Sequence, residues 1–208
     1  EYYYSTSSSA PTSSTTASGS VGAGTTSANI TGLTAATTYY FWVRSNCGSG
    51  SYSNWSDENP VPNFTTFCDP ESIPYTQGFE SGYTNGSALS SCLTQESVVG
   101  NQLWYANDGT WTTYDRTPRS GSWNMWLQNS NTDWLMYSVS LTAGTEYLFE
   151  CYARQDGSTS SNATITLAYG TSATAAAMTN TVVSATGVIN GNYQLVSGTF
   201  TPSSTGTY

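Results

Sequence analysis

The segment Tyr39-Tyr40-Phe41-Trp42-Val43-Arg44 alternates side chains on two faces, Tyr39, Phe41 and Val43 on one, Tyr40, Trp42 and Arg44 on the other. Short segments of this kind, rich in aromatic and β-branched residues, recur about every ten residues, as in sandwiches and barrels. Helix signals are nearly absent. The one alanine-rich stretch, Ala173 to Met178, is short and flanked by Thr, so it reads as a loop or a single turn. The chain is therefore expected to be all-β. Strands are expected at Tyr2-Tyr3-Tyr4, at 39–44 and at Phe64-Thr65-Thr66, then at 92–98, 103–106, 123–128, 134–140, 146–154, 163–169, 181–189 and 193–201. From Tyr147 to Arg154, residues Tyr147, Phe149, Cys151 and Ala153 read as inward, while Glu150, Tyr152 and Arg154 read as outward. Ile165, Leu167 and Tyr169 repeat the alternation.

Composition narrows the class. Serine and threonine make the chain polar, but 14% aromatic residues, with seven Trp and sixteen Tyr, supply a core that disordered chains lack. Only 8% of residues are charged; four are Arg, and there is no Lys or His. A net charge of -9 with so few cations argues against a nucleic-acid backbone as partner and disfavours anionic membranes. No apolar run approaches the roughly 20 residues of a membrane span. No signal peptide is recognisable, so any leader is expected outside this sequence.

With 208 residues there is room for two domains. Pro60, Pro62, Pro70 and Pro74 mark a stiff connector around Cys68. The expected division is a first domain at 1–67, a connector at 68–76 and a second domain at 77–208. Cys47, Cys68, Cys92 and Cys151 permit three pairings, and none forms a C-x-x-C motif. Disulfides, and hence an oxidising compartment, are the better reading. Cys47–Cys68 and Cys92–Cys151 are expected, because each pair then stays within one domain, each contributing roughly 3–4 kcal/mol.

Two resemblances follow from particular residues. In Leu33-Thr34-Ala35-Ala36-Thr37-Thr38-Tyr39, a Leu stands six residues before a Tyr that opens an alternating strand. This is similar to the tyrosine corner of β-sandwich domains, in which the phenol hydroxyl ties back to upstream backbone. With Trp55-Ser56 and the strand at Phe64, residues 1–67 resemble the later part of a fibronectin type III domain. That resemblance implies two further strands before Tyr2. Gly78-Phe79-Glu80, Arg119-Ser120-Gly121-Ser122, Asp133-Trp134-Leu135-Met136, Leu141-Thr142-Ala143-Gly144 and Gly198-Thr199-Phe200-Thr201-Pro202 resemble MAM-like jelly rolls, the choice-of-anchor domains. Gly206-Thr207-Tyr208 reads as a strand just beginning, which implies a jelly roll cut at its C-terminal end. The order of the two modules is similar to that in large surface proteins of Bacteroidota exported by the type IX pathway, including gliding-motility adhesins.

The missing His and Lys remove the common triads, histidine general bases, imidazole-bound zinc and Schiff-base chemistry. Paired carboxylates remain, but no sequence feature aims two at one cleft, and no enzyme is expected. Calcium is the more credible ion: Glu80, Asp108, Asp115 and Asp133 are hard oxygen donors near loop positions, and the jelly-roll resemblance implies a structural calcium that would single out Glu80. Asp108, Asp133 and Glu80 are the metal candidates. The plainer alternative makes Asp108-Gly109 a turn and Asp133 a cap beside Trp134.

Trp104, Tyr105, Trp111, Tyr114, Trp123 and Trp126 fall close together among amides and carboxylates, the mixture that sugar binding uses. Core packing accounts for most of them. Trp111, in a Gly/Thr-rich stretch, is the best candidate for exposure, and Trp111, Tyr114 and Trp126 are the ligand-binding candidates. Asn29, Asn54, Asn63, Asn85 and Asn162 head Asn-x-Ser/Thr sequons, matches that arise by chance in so Ser- and Thr-rich a chain. The expected function is a non-catalytic adhesion or structural module of a secreted or cell-surface protein. Its expected partners are surface glycans or other extracellular polymers, and neighbouring domains of the same longer chain. The alternative is a carbohydrate-binding accessory module of a secreted glycan-degrading enzyme.

Overall fold

A computed structural model describes residues 1–80, 83–86, 92–111, 114–156, 163–189 and 191–208. Asn162 lies outside the described residues. The chain is all-β, with antiparallel strand pairs and, among the described residues, one short 3-10 helix at Ala175–Ala177, in the stretch expected as a turn. It divides into two compact units, Glu1–Asp69 and Pro70–Tyr208.

The first unit contains β1 (Tyr2–Ser5), β2 (Thr38–Val43), β3 (Asn46–Gly48), β4 (Ser51–Tyr52) and β5 (Asn63–Thr65). Strands β1, β2 and β5 form a sheet in the order β1-β2-β5, and β3 and β4 make a hairpin. Alternation along β2 places aromatic rings on both sheet faces. On one side Trp42, only 2% exposed, packs with Tyr3, which in turn meets Trp55. On the other, Tyr39 meets Tyr4 and Phe64, while Phe41 also reaches Phe64. The long stretch between β1 and β2 is pinned at two points. The Trp55 indole N–H donates to the Thr12 carbonyl at 3.0 Å, and Gly19 bridges Tyr2.

The second unit holds β6 (Thr94–Val99), β7 (Tyr105–Asn107), β8 (Asn124–Trp126), β9 (Thr132–Met136), β10 (Ser140–Leu141), β11 (Tyr147–Ala153), β12 (Thr164–Tyr169), β13 (Asn180–Gly187), β14 (Gln194–Phe200) and β15 (Gly206–Thr207). Each strand expected here forms, the 134–140 segment splitting between β9 and β10. The pairings are nested: β6–β9 encloses β7–β8, and β10–β15 encloses β11–β14, which encloses β12–β13. The Pro-rich stretch beyond Asp69 is not free-standing. Glu71 bridges Val139, its N–H donating to Ser138 and its carbonyl accepting from Ser140, and Tyr75 stacks near Tyr137.

The same corner is built twice. In the first unit the Thr34 N–H donates to the Tyr39 hydroxyl at 3.0 Å; in the second the Thr142 N–H donates to the Tyr147 hydroxyl at 2.9 Å. That bond also lowers the Tyr147 pKa, since an accepted N–H favours the phenolate. The two segments, Leu33-Thr34-Ala35-Ala36-Thr37-Thr38-Tyr39 and Leu141-Thr142-Ala143-Gly144-Thr145-Glu146-Tyr147, share their spacing. Ala36 (φ 50°) and Gly144 (φ 73°) take the left-handed conformation at equivalent positions. Their N–H groups donate to Phe67 and Pro202, just past the neighbouring strand. Each corner tyrosine pairs with a phenylalanine across that strand, Tyr39 with Phe64 and Tyr147 with Phe200, their rings 5.9 and 6.0 Å apart.

Two expectations need correction. Cys68 is bonded to Cys92, whereas Cys47 and Cys151 are free thiols, so neither Cys47–Cys68 nor Cys92–Cys151 forms. The pairing by domain failed because Cys68 stands at the end of the first unit and Cys92 just before β6, while Cys47 is exposed on the β3–β4 hairpin and Cys151 lies mid-strand opposite Val196. On β11, Tyr147, Cys151 and Ala153 are the more covered residues, as expected, but Phe149 is part-exposed and Arg154 does not extend into solvent.

Three outcomes follow. Tyr39→Phe strands the Thr34 N–H and lowers unfolding stability by about 1–3 kcal/mol, measurable by urea denaturation. Ala36→Gly relieves the left-handed alanine and raises stability by about 0.5–1 kcal/mol in the same assay. Alkylation without reductant labels Cys47 quickly and Cys151 slowly, because burial raises the Cys151 pKa. Peptide mapping then recovers a Cys68–Cys92 link, and a peptide joining Cys47 to Cys68 would contradict the structure.

Candidate functional site

The long β7–β8 connection, residues 108–123, carries two of the second unit's three arginines, Arg116 and Arg119, together with Asp108, Asp115, Trp111 and Tyr114. It begins with an Asx turn: the Asp108 carboxylate accepts from the Thr110 hydroxyl (2.7 Å) and N–H (3.0 Å), which lowers its pKa. Further on, Asp115 accepts from the Thr117 hydroxyl in the same way.

The three ligand-binding candidates converge on Arg116. Its guanidinium lies 5.2 Å from the Trp111 ring centre, 4.7 Å from Tyr114 and 4.1 Å from Trp126. Trp111 and Trp126 are themselves 5.5 Å apart, and Tyr105 stands 5.8 Å from Trp126. A cation stacked on an aromatic ring gains roughly 0.5–2 kcal/mol, more as it is desolvated. The Arg116 side chain is 12% exposed, and the Asp156 carboxylate is 3.6 Å away. The inner ring faces are thus filled by the protein's own cation. Trp111 at 41% and Tyr114 at 39% exposure keep surface towards solvent, while Trp126 is half-buried behind them. Sequence reasoning selected the three aromatics but missed Arg116, the residue that gathers them.

Buried amides hold the same loop. Asn107, fully buried, donates to the Arg116 carbonyl and to Asn124; Asn124 donates to the same carbonyl and to the Tyr193 hydroxyl, which donates to the Thr117 carbonyl. Among the described residues, Asn107 Oδ1, Arg116 Nη1 and Trp126 Nε1 are buried without a partner. Arg154 clasps the loop from β11. Its two terminal nitrogens reach Asp115 Oδ1 and Oδ2, each at 3.0 Å, and it also donates to the carbonyls of Asp115, Thr117 and Gly191. This fork holds the Asp115 carboxyl well below the usual carboxylate range, helped by the Thr117 hydroxyl. The loop therefore lies along the outward end of β11, where the Arg119 guanidinium stacks 3.5 Å from the centre of the Tyr152 ring.

Every arginine of the chain is placed over an aromatic ring. Arg44 sits between Tyr52 and Trp55, at 4.1 and 4.3 Å, and forms an ion pair with Glu1; Arg154 lies 4.9 Å from Tyr193. In the first unit, Arg44, Tyr52, Ser13, Ser14, Thr15 and Thr16 are among the residues that line a polar concavity of about 480 Å³.

The metal candidates are dispersed among structural tasks. Glu80 accepts from the Ser122 N–H at 2.8 Å, and a Cβ at Gly121 (φ 64°) would overlap its carboxylate. Asp108 makes its own turn. Asp133, on β9, accepts from the Trp104 N–H at 3.0 Å; burial raises its pKa against the pull of the Trp104, Glu96 and Trp134 N–H groups. Among the described residues no three Asp, Glu or Cys side chains gather as ligands for a metal ion. No protein-family model matches this chain, and comparison with curated proteins and with solved structures finds no match.

Asp115 supplies a pH test of the loop. Its folded pKa is depressed, so the Arg154 contact contributes fully above the unfolded carboxylate value, near pH 4, and is lost as pH falls below it. Arg154→Met accordingly lowers the melting temperature similarly at pH 7 and pH 5, and the gap from the parent narrows below about pH 4.

Proposed function

We propose that this chain is a non-catalytic adhesion module of a secreted or cell-surface protein, whose Trp111–Tyr114 ledge contacts surface glycans or other extracellular polymers. The observation that carries this reading is the ledge itself: two part-exposed aromatic side chains on a connection fastened from behind by Arg116, from below by Asn107 and Asn124, and from β11 by Arg154. Flat rings held in fixed positions suit the apolar face of a pyranose, and prior fastening reduces the entropy lost on contact.

The modular reading is that the first unit is a fibronectin type III-like sandwich and the second a MAM-like jelly roll, as in surface proteins exported by the type IX pathway. The paired tyrosine corners and the nested strand pairing support it. The Cys68–Cys92 disulfide supports an oxidising, extracellular setting. With no histidine or lysine, the usual proton-shuttling and Schiff-base groups are missing from the chain. The same ledge would also serve an accessory module that holds a glycan-degrading enzyme on its polymer.

A glycan array probed with the two-unit chain and with Trp111→Ala tests the proposal. Binding that falls at least tenfold in the variant, measured at a temperature where both chains remain folded, is the expected result; each tenfold corresponds to about 1.4 kcal/mol. No glycan binding by the parent chain would end this reading.

A further inference from the structure

We infer that the ledge reads an acidic glycan, and that Arg119, held flat against Tyr152, is the group that receives the sugar's carboxylate or sulfate. This rests on the glycan-binding reading above and specifies the substrate class of that site.

Three of the chain's four arginines, Arg116, Arg119 and Arg154, belong to this one loop and the strand beneath it, in a protein of net charge -9. Two are already committed. Arg154 is forked onto Asp115, and Arg116 is enclosed by three rings with Asp156 beside it. Arg119 differs from both. It is exposed, and among the described residues it has neither a carboxylate partner nor a hydrogen bond.

Its guanidinium nevertheless has a defined seat over the Tyr152 ring. A guanidinium carries its five N–H donors in its own plane, so stacking on a ring occupies a flat face and leaves the donor edge open. At 3.5 Å from the Tyr152 ring centre, Arg119 is held in this way on a tyrosine that is itself part-exposed. The ring orients the cation without neutralising it. An open fork of two parallel N–H groups matches a carboxylate or a sulfate ester, each of which offers acceptor oxygens.

The surrounding charge adds selectivity of position. An acidic polymer is repelled by the -9 chain as a whole, and Glu150 lies on the same strand face as Tyr152. Arg119 is therefore a single uncommitted cation on the connection that also carries Trp111 and Tyr114. Ring stacking supplies the area, and one fork selects sugars that carry an anion.

The test measures binding of the two-unit chain to three polymer classes: a polyuronate, a sulfated glycan and a neutral glucan. Each is measured with the parent, Arg119→Gln, Arg119→Lys and Trp111→Ala. Arg119 is exposed, so its replacements are expected to fold, and unchanged melting temperatures verify this. The expected result is tight binding to the polyuronate or the sulfated polymer. Arg119→Gln then weakens it roughly tenfold or more, Arg119→Lys restores it only in part, and the neutral glucan binds weakly throughout. Whichever anionic polymer responds identifies the source of the anion. Equal binding to neutral and acidic polymers, lost with Trp111→Ala but indifferent to Arg119→Gln, would overturn the inference and leave the glycan-binding reading standing. No binding to any polymer would remove both.

Discussion

A backbone N–H caught by a tyrosine hydroxyl five residues further on is the constraint from which each unit is built. The turns after Leu33 and Leu141 must bring the chain abruptly into β2 and β11, and a left-handed residue in each turn leaves an upstream N–H without a strand partner. Thr34 and Thr142 donate that N–H to Tyr39 and Tyr147. The hydroxyl is positioned because its ring lies against Phe64 or Phe200 on the paired strand. One residue thus satisfies a polar group, packs a ring and fixes the register in which β2 meets β5 and β11 meets β14. In the first unit the turn carries alanine where the second carries glycine, so the first bears a conformational strain that the second avoids.

Aromatic rings take over work that charge performs in most proteins. With four cations in the chain, long-range ion-pair networks are out of reach, and each arginine is instead laid against a ring. For Arg116 and Arg154 the result is a fastened loop. The guanidinium desolvation is offset by π faces, by a carboxylate and, for Arg154, by backbone carbonyls at the open end of β11. The contacts of Arg116 and Arg154 fasten the segments that carry Trp111 and Tyr114, which limits the freedom those rings would lose in any contact. Glu80 acts in the same sense, its carboxylate holding the far end of the connection at Ser122.

Much of the architecture was legible because strand alternation is local. Every strand expected in the second unit forms, and the alanine-rich stretch is a single turn of 3-10 helix. The corner at Tyr39 was readable from the spacing of Leu33 and Tyr39. The one at Tyr147 was equally available in Leu141-Thr142-Ala143-Gly144, and comparing the two heptapeptides as an internal repeat would have found it. The site was half legible: Trp111, Tyr114 and Trp126 were selected by type and density, but what brings them together is a cation with no distinguishing mark in the sequence.

The sequence by itself determined the all-β class, the strand positions and the near-absence of free cations, because periodicity and composition act residue by residue. Tertiary structure alone decided the nesting of strand pairs, the union of Cys68 with Cys92, and the dispersal of Glu80, Asp108 and Asp133 to separate backbone contacts. It also decided that Arg119 lies exposed over Tyr152 while Arg116 is enclosed. These are matters of which segments meet across tens of residues, and pairing at that distance is set by packing and loop closure rather than by any local pattern.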